Sequence, residues 1–218
     1  MLVPEYNGSL RKHTIKMPKA IESASGIRIF GRLLKSFVFT TDVAIIRNCN
    51  ADAVIAIYPF TPQPIITHSI ITAADIPVIS GVGGGTTRGA RVIGLAIDAE
   101  QQGAMGVVVN APTSNKVIKA MRATLEVPII VTVVSENEDI GARINAGTTI
   151  LNISAASKTP ALVAKIRTQY PDVPIIATGG NTEASIQATI DAGANAITFT
   201  PPSTAELFKG MMENYRNL

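Results

Sequence analysis

Three copies of a short sequence pattern recur along the chain and constrain its fold more than any other feature. In each copy a proline precedes two branched apolar residues, and the prolines lie 51 and 46 residues apart. The copies are Pro77-Val78-Ile79, Pro128-Ile129-Ile130 and Pro174-Ile175-Ile176. Between them a second pattern, a glycine before another apolar run, recurs at spacings of 44 and 46 residues. These glycines are Gly103, Gly147 and Gly193. Two kinds of strand therefore alternate with one period, which is typical of a repeated architecture.

The residues between the strands predict helices. A glycine just past a helix adopts the left-handed conformation that ends it, and a proline at the start of a strand lacks an N–H that would need a partner. The apolar runs are short, rich in Val and Ile, and do not alternate with polar residues, as expected for parallel strands buried on both faces. Helical patterns separate them at residues 91–102, 115–125 and 160–170. The order of elements is therefore βα repeated.

Eight strands are predicted, and this number favours a closed barrel. They cover residues 37–40, 53–58, 77–81, 106–110, 128–132, 149–152, 174–178 and 196–200. An open doubly wound sheet usually has fewer strands and no fourfold repeat, so we expect a (β/α)8 TIM barrel in one domain, residues 1–218. Residues 1–35 are predicted to form a leader and a plug helix, over residues 27–34, across the bottom of the barrel that residues 36–218 form.

The charge distribution disfavours a nucleic-acid partner. Residues 1–35 carry seven Lys or Arg against two acidic residues, while the remainder carries twelve against fourteen, so the body of the protein is not basic. No apolar run is long enough to span a membrane, and no signal-peptide order is present. The single cysteine, Cys49, excludes an internal disulfide and fits a cytoplasmic protein. Helices rich in Val and Ile also suggest a homo-oligomer.

Chemistry in such barrels sits where strands end and loops begin, and one of these loops carries a family resemblance. The run from Tyr170 through Pro174-Ile175-Ile176-Ala177-Thr178-Gly179-Gly180, followed by residues 186–194, resembles the closing quarter of 2-keto-3-deoxy-6-phosphogluconate aldolases. More broadly it is similar to the phosphate-binding barrel superfamily, which includes thiamine phosphate synthases and N-acetylmannosamine-6-phosphate epimerases. The resemblance implies a phosphate held by the loops after the seventh and eighth strands.

The residues give an independent reason to expect an anion there. Gly179 and Gly180 would let backbone N–H groups approach an anion, and Ser203 and Thr204 precede a helix whose N-terminus favours negative charge. Alternatively, the glycines only relieve crowding, and Ser203 or Thr204 only caps the helix. Pro201 and Pro202 also remove two N–H donors from this loop.

A second glycine-rich segment follows the third predicted strand. It contains Gly83, Gly84, Gly85 and Arg88 and lacks the spacing of a nucleotide-binding loop. It is interpreted either as a mobile loop over the substrate, with Arg88 reaching an anionic group, or as a flexible turn.

The catalytic candidates are carboxylates, because no predicted strand contains the lysine that a Schiff-base aldolase needs. Asp42 and Glu136 are candidate acid/base groups, and Glu136 is preferred because the apolar residues before it would raise the pKa of its carboxyl. Tyr58, Asn110 and Asn152 are candidate hydrogen-bonding partners. Asp42 and Glu136 are also candidate ligands for Mg²⁺, although the sequence has no set of histidines or cysteines for a metal. Asp42, Glu138 and Asp139 are equally well explained as helix caps or first-turn residues.

Three functional classes remain open. The first is a lyase, isomerase or epimerase acting on a small phosphorylated carbonyl metabolite. The second is an oxidoreductase that binds FMN, which the phosphate-binding resemblance allows but the 5% aromatic content and the absence of Trp disfavour. The third is a non-catalytic barrel that senses a ligand or binds RNA.

Overall fold

The computed structural model describes residues 3–4 and 15–217, and its centre is a closed barrel of eight parallel strands. Each strand of the barrel lies beside its neighbours in sequence, and the last strand closes the barrel against the first. The strands are β3 (Ser36–Phe39), β4 (Ala53–Ala56), β5 (Val78–Gly83), β6 (Gly106–Val109), β7 (Ile129–Val133), β8 (Ile150–Ile153), β9 (Ile175–Thr178) and β10 (Ala196–Phe199). The predicted (β/α)8 barrel is confirmed, and every predicted strand end lies within two residues of the observed one.

Helices follow the strands in alternation. They are α1 (Val43–Arg47), α2 (Pro64–Ala73), α3 (Ala90–Gln101), α4 (Asn115–Arg122), α5 (Ile140–Asn145), α6 (Thr159–Gln169), α7 (Glu183–Asp191) and α8 (Thr204–Arg216). Short 3-10 turns cover Lys19–Ser23 and Ala156–Lys158. Among the described residues, no helix is long and apolar enough to cross a membrane.

The two faces of each strand contribute to different parts of the core. Ile79, Val108, Ile130 and Ile176 belong to one buried cluster inside the barrel. Their sequence neighbours pack outward against the helices, as Val107 does in the cluster with α3 and α4. This alternation follows from the period of two along a strand, and it fixes which residue types can reach the barrel interior.

The predicted plug helix over residues 27–34 is wrong. This segment forms an antiparallel hairpin of β1 (Ile27–Ile29) and β2 (Arg32–Leu34). Ile27 and Ile29 are buried and the intervening residue is exposed, which is the alternation of a strand. Phe30 and Gly31 both have positive φ, at 44° and 81°, which suits a two-residue hairpin turn. The apolar side chains of the hairpin pack against the cluster inside the barrel.

The segment before the hairpin lies against the outer wall of the barrel. Glu183, the first residue of α7, accepts hydrogen bonds from the backbone N–H groups of Lys19 (3.0 Å) and Ala20 (2.7 Å). Ile21 is 3% exposed and packs in the cluster that includes Ile197 of β10. Arg11, Lys12 and His13, which belong to the basic leader, lie outside the described residues.

Candidate functional site

The barrel interior becomes polar toward the carboxyl ends of β7, β8 and β10. Thr132, Asn152 and Thr198 each lie two residues beyond an inward-facing apolar residue and are 5–7% exposed. The amide nitrogen of Asn152 donates a hydrogen bond to the Thr132 hydroxyl at 3.2 Å. The amide oxygen of Asn152 and the hydroxyl of Thr198 are buried with no hydrogen-bond partner among the described residues. Because an unpaired buried polar atom costs about 1–3 kcal/mol, this part of the interior suits a polar ligand group.

The opposite side of the same end holds a cavity of about 210 Å³. Its wall includes the inward-facing Ile57, Gly81, Val108 and Asn110 at the ends of β4, β5 and β6, together with Tyr58 and Phe60 from the loop after β4. Tyr58 is the one titratable side chain among the described residues that line it. Its hydroxyl accepts a hydrogen bond from the backbone N–H of Gln63 at 2.8 Å, which leaves the phenolic proton free to point elsewhere.

The glycine loop, residues 83–89 between β5 and α3, forms another wall of this cavity. The N–H of Gly84 donates to the Thr87 carbonyl at 3.1 Å, and the N–H of Asn110 donates to the Gly83 carbonyl at 3.0 Å. Gly84 has φ 98°, and a Cβ there would lie 2.5 Å from the Asn110 nitrogen. The base of the loop therefore requires glycine and is held against β6. Arg88, by contrast, is exposed, and its Nε donates to the Gly85 carbonyl at 3.1 Å.

Helix α3 begins directly after the glycine loop without a side-chain cap. Its N-cap residue is Gly89, so no side-chain oxygen accepts from the first N–H groups of this 12-residue helix. The N–H of Val92 donates to the Gly89 carbonyl at 3.1 Å. The N–H groups of Ala90 and Arg91, together with the positive end of the helix dipole, are available to an anion. The loop and the helix start combine the two features of a backbone anion site.

The predicted phosphate glycines lie between β9 and α7, and each has a structural reason to be glycine. A Cβ on the buried Gly179 would lie 2.9 Å from Ile186 and 3.0 Å from Ile197, so this glycine lets α7 pack against β10. Gly180 has φ 81°, and a Cβ there would lie 2.7 Å from the Ser185 hydroxyl. Ser185 and Thr182 form a reciprocal capping box at the start of α7. Relief of crowding, the alternative reading of Gly179, is thus supported.

The start of α8 already carries two carboxylates. Glu206 accepts hydrogen bonds from the backbone N–H (2.8 Å) and hydroxyl (2.7 Å) of Ser203, and these bonds lower the pKa of its carboxyl. The Thr204 hydroxyl donates to the Asp42 carboxylate. Ser203 therefore acts as the cap that was considered as an alternative to phosphate binding. A phosphate at this helix end would face the negative charge of both acids.

Asp42 is occupied as a helix cap. Its carboxylate accepts from the backbone N–H of Ala44 at 2.8 Å and of Ile45 at 3.3 Å at the start of α1. The hydrogen bond from Thr204 lowers the pKa of the Asp42 carboxyl most, the two backbone N–H groups lower it further, and partial burial opposes them. A carboxyl with a lowered pKa is a weaker base, so the environment of Asp42 does not favour proton abstraction.

Glu136 does not lie in the apolar surroundings that were expected to raise its pKa. Its side chain is 62% exposed and forms an ion pair of 3.5 Å with Lys165 of α6, and Val134 beside it is 50% exposed. The neighbouring Asp139 caps α5 through the N–H of Ala142, as the helix-start interpretation predicts. The physical reason for preferring Glu136 as the base is therefore wrong.

The structure also keeps the two proposed Mg²⁺ ligands apart. Asp42 follows β3 and Glu136 follows β7, which are diametrically opposite in the barrel. Within residues 15–217 no group of three or more His, Cys, Asp or Glu side chains could hold a metal ion. Asp42 and Glu136 therefore cannot bind one Mg²⁺ together.

Comparison with protein-family models and with curated proteins gives no match. Solved structures match in fold. Phosphoenolpyruvate phosphomutase from Streptomyces platensis aligns with a TM-score of 0.63 at 14% identity, covering 90% of this chain and 83% of that one. A 2,3-dimethylmalate lyase of the PEP mutase/isocitrate lyase superfamily aligns with a TM-score of 0.63 at 13% identity, covering 96% and 86%.

Thiamine phosphate pyrophosphorylase from Pyrococcus furiosus, a relative of the broader expected superfamily, aligns with a TM-score of 0.59 at 17% identity, covering 77% of this chain and 85% of that one. At these identities the matches show the barrel fold. They support the broader barrel resemblance and not the narrower one to 2-keto-3-deoxy-6-phosphogluconate aldolases.

Proposed function

We propose that the protein is an enzyme of the lyase or isomerase type, and that its substrate is a small carbonyl compound carrying a phosphoryl or carboxylate group. The observation that carries this proposal is the cavity at the carboxyl ends of β4, β5 and β6, where Tyr58 and Asn110 face the glycine loop. Barrel enzymes place their chemistry at this end, and a concave site with a few convergent polar groups is the usual form of a substrate pocket.

The anionic group of the substrate is assigned to the glycine loop. Backbone N–H groups of the loop and the uncapped start of α3 supply donors, and Arg88 of the loop supplies a positive charge. At the alternative anion site, the starts of α7 and α8 are capped by the protein's own side chains. That site is the one predicted from Gly179, Gly180, Ser203 and Thr204. We therefore favour the loop after β5 for the anion.

Tyr58 and Asn110 are assigned to the carbonyl group. The phenol and the Asn110 amide would each donate a hydrogen bond to the carbonyl oxygen as negative charge develops there. The proton lost from the adjacent carbon would pass to solvent water, because the described residues that line the cavity include no carboxylate, amine or imidazole. Thr87, which is buried with an unpartnered hydroxyl, adds a further polar group to the same wall.

The names of the fold neighbours are consistent with this substrate class. A phosphoenolpyruvate phosphomutase and a dimethylmalate lyase both act, by name, on small acids, and both carry the same barrel. A small carboxylate or phosphorylated compound is therefore the class to test first.

Proton exchange into candidate substrates tests the proposal. Small keto acids and keto-sugar phosphates are incubated with the protein in D₂O, and deuterium uptake next to the carbonyl is followed by NMR. We expect exchange with at least one compound and a loss of about 10²- to 10³-fold in Tyr58→Phe, the usual contribution of a hydrogen-bond donor to a developing oxyanion. Tyr170→Phe, on the outer surface at the end of α6, is the matched control and should be unaffected. Equal effects of the two substitutions would contradict the assignment.

A ligand-sensing barrel is the second candidate, because no Asp, Glu, Lys or His is among the described residues that line the cavity. A sensor would bind an anionic metabolite and leave it unchanged. Saturable binding by calorimetry without exchange in any compound of the panel would favour the sensor over the enzyme.

A further inference from the structure

The last helix, α8, differs from the seven other helices because none of its described side chains is buried. It nevertheless has a continuous apolar face. Leu207, Phe208, Met211, Met212 and Tyr215 fall on one side of the helix and are 37–61% exposed. Most of the stability of an amphipathic helix comes from packing of its apolar face against other residues. The exposed apolar face of α8 therefore indicates a surface that another protein segment covers.

The place that α8 would take on its own barrel is already filled. In a regular (β/α)8 barrel the last helix covers the outer wall between the last strand and the first. Here that wall is covered by the segment before the hairpin: Ile21 packs with Ile197 of β10, and Ile15 and Met17 pack with Val38 of β3. The bonds from Glu183 to the backbone of Lys19 and Ala20 hold the segment in place. Helix α8 therefore cannot pack on the wall between the last and first strands of its own barrel.

An apolar groove runs beside the exposed face. It has a volume of about 480 Å³ and lies between α8 and α1, with Leu207, Phe208 and Met211 on one side and Ile15, Ala44 and Ile45 on the other. A second helix bearing large apolar side chains would fill this groove. The described part of the chain offers one such unpartnered helix, which is α8 itself.

We propose that a second copy of this chain covers this surface, with α8 of each copy lying in the groove between α1 and α8 of the other around a twofold axis. Such an interface is self-complementary because the same helix supplies both the groove wall and the inserted side chains. Its composition of Phe, Tyr, Met and Leu is that of an interface core, and the charged residues of α8 lie on the far side.

The available area agrees with a dimer. On the scale of about 150–250 Å² for a large side chain, the five exposed residues contribute roughly 500 Å² per copy. The groove wall and the half-exposed Val43 at the start of α1 extend this toward the roughly 800 Å² per partner of a standard stable interface.

Molar mass in solution tests the proposal on the full chain. Size-exclusion chromatography with light scattering should give twice the 22.9 kDa of one chain. Phe208→Ser combined with Met211→Ser should raise the dimer dissociation constant by at least about 30-fold, as expected for central apolar anchors. Lys209→Ser, on the polar side of α8, is the matched control and should stay dimeric. Circular dichroism checks that each variant is folded.

Cysteine cross-linking gives a second readout that does not depend on destabilisation. In a Cys49→Ala background, Met211→Cys lies on the apolar face near the middle of α8 and should form a covalent dimer on mild oxidation, whereas Lys209→Cys should not. A monomeric wild type overturns the proposal, as does a dimer that survives the double substitution. A monomer that becomes dimeric only after deletion of residues 1–14 would show that the leader, and not a second copy, covers the groove.

Discussion

The helix starts at the carboxyl ends of the barrel strands differ in how their backbone N–H groups are used. At α8, and likewise at α7, serine and threonine side chains form reciprocal capping boxes, and at α8 the carboxylates of Glu206 and Asp42 add negative charge. At α3 the N-cap is Gly89 and no side chain accepts from the helix. The loops before α7 and α3 both contain glycines, so the two loops look alike as anion sites in the sequence. The difference teaches that an anion site needs free N–H groups as well as flexible backbone.

The largest expected effect is at Gly84, where the loop after β5 meets β6. Gly84→Ala would place a Cβ 2.5 Å from a backbone nitrogen at φ 98°, so the loop must move or the strand must shift. We expect a loss of about 2 kcal/mol or more in unfolding free energy, and loss of anion binding. Gly85→Ala is the matched control, since nothing lies within 4 Å of a Cβ there. Urea denaturation and calorimetry measure both quantities, and equal behaviour of the two variants would break the assignment of this loop.

The next effect compares the two candidate anion seats directly. Arg88→Ala removes a positive charge from the loop after β5, and Gly180→Asp adds a negative charge to the loop after β9. If the anion binds at α3, Arg88→Ala should weaken binding of a phosphorylated ligand by about tenfold, the usual value of a charged hydrogen bond. Gly180→Asp should then weaken it by less than Arg88→Ala does. The opposite ranking in calorimetric titrations would restore the phosphate site first predicted at Gly179 and Gly180.

A smaller effect is expected at Asp42, which links the starts of α1 and α8. Asp42→Asn keeps an oxygen that can cap α1 but removes the negative charge at the start of the helix, so it should lower the unfolding free energy by about 0.5–1 kcal/mol at neutral pH. Because the pKa of Asp42 is lower in the folded protein than in the unfolded chain, its contribution is present above the unfolded value, 3.8. It is lost as pH falls from that value through the folded pKa.

The difference in stability between wild type and Asp42→Asn should therefore shrink below about pH 4. Thr204→Val removes the hydroxyl that lowers this pKa most and should give part of the same change. Thermal unfolding over pH 2–7 measures both, and a difference that stays constant with pH would contradict the role of the carboxylate.

The barrel could be predicted from the sequence because the repeat marks buried strands. A short, continuous apolar run such as Ile129-Ile130-Val131 is typical of a parallel strand that is buried on both faces. It fails at residues 27–34 because a short apolar segment fits both periods, and the decision depends on the turn at Phe30 and Gly31. The polar interior could have been found by counting two residues on from each inward apolar residue, which gives Thr132 and Thr198.

The candidate site is harder to predict than the fold, because the role of each polar side chain depends on contacts with residues distant in sequence. The bond from Thr204 to Asp42 spans 162 residues and changes a candidate base into a structural group. One signal at α8 is nonetheless local: Ser203 and Glu206 have the spacing of a capping box, which favours self-capping over phosphate binding. Tyr58 is a candidate in the sequence because it stands at the end of a predicted strand, but its proposed role at the carbonyl group depends on the cavity that three strand ends form.

The smallest effect is expected at Glu136. Its substitution tests whether the acid/base group lies in the cavity beside the glycine loop or in the loop after β7. Its carboxylate and the Lys165 ammonium are 62% and 49% exposed, so the ion pair between them should contribute no more than about 0.5 kcal/mol. Glu136→Gln keeps the shape of the side chain and removes only its charge. If proton transfer occurs in the cavity beside the glycine loop, this substitution should leave the rate of deuterium exchange within about twofold of wild type, whereas Tyr58→Phe should lower it by about 10²-fold or more. Lys165→Met, which removes the other partner of the ion pair, should be equally silent. A loss of 10²-fold or more in Glu136→Gln would instead place the acid/base group after β7, and would show that an exposed carboxylate in the free protein becomes enclosed when the substrate binds.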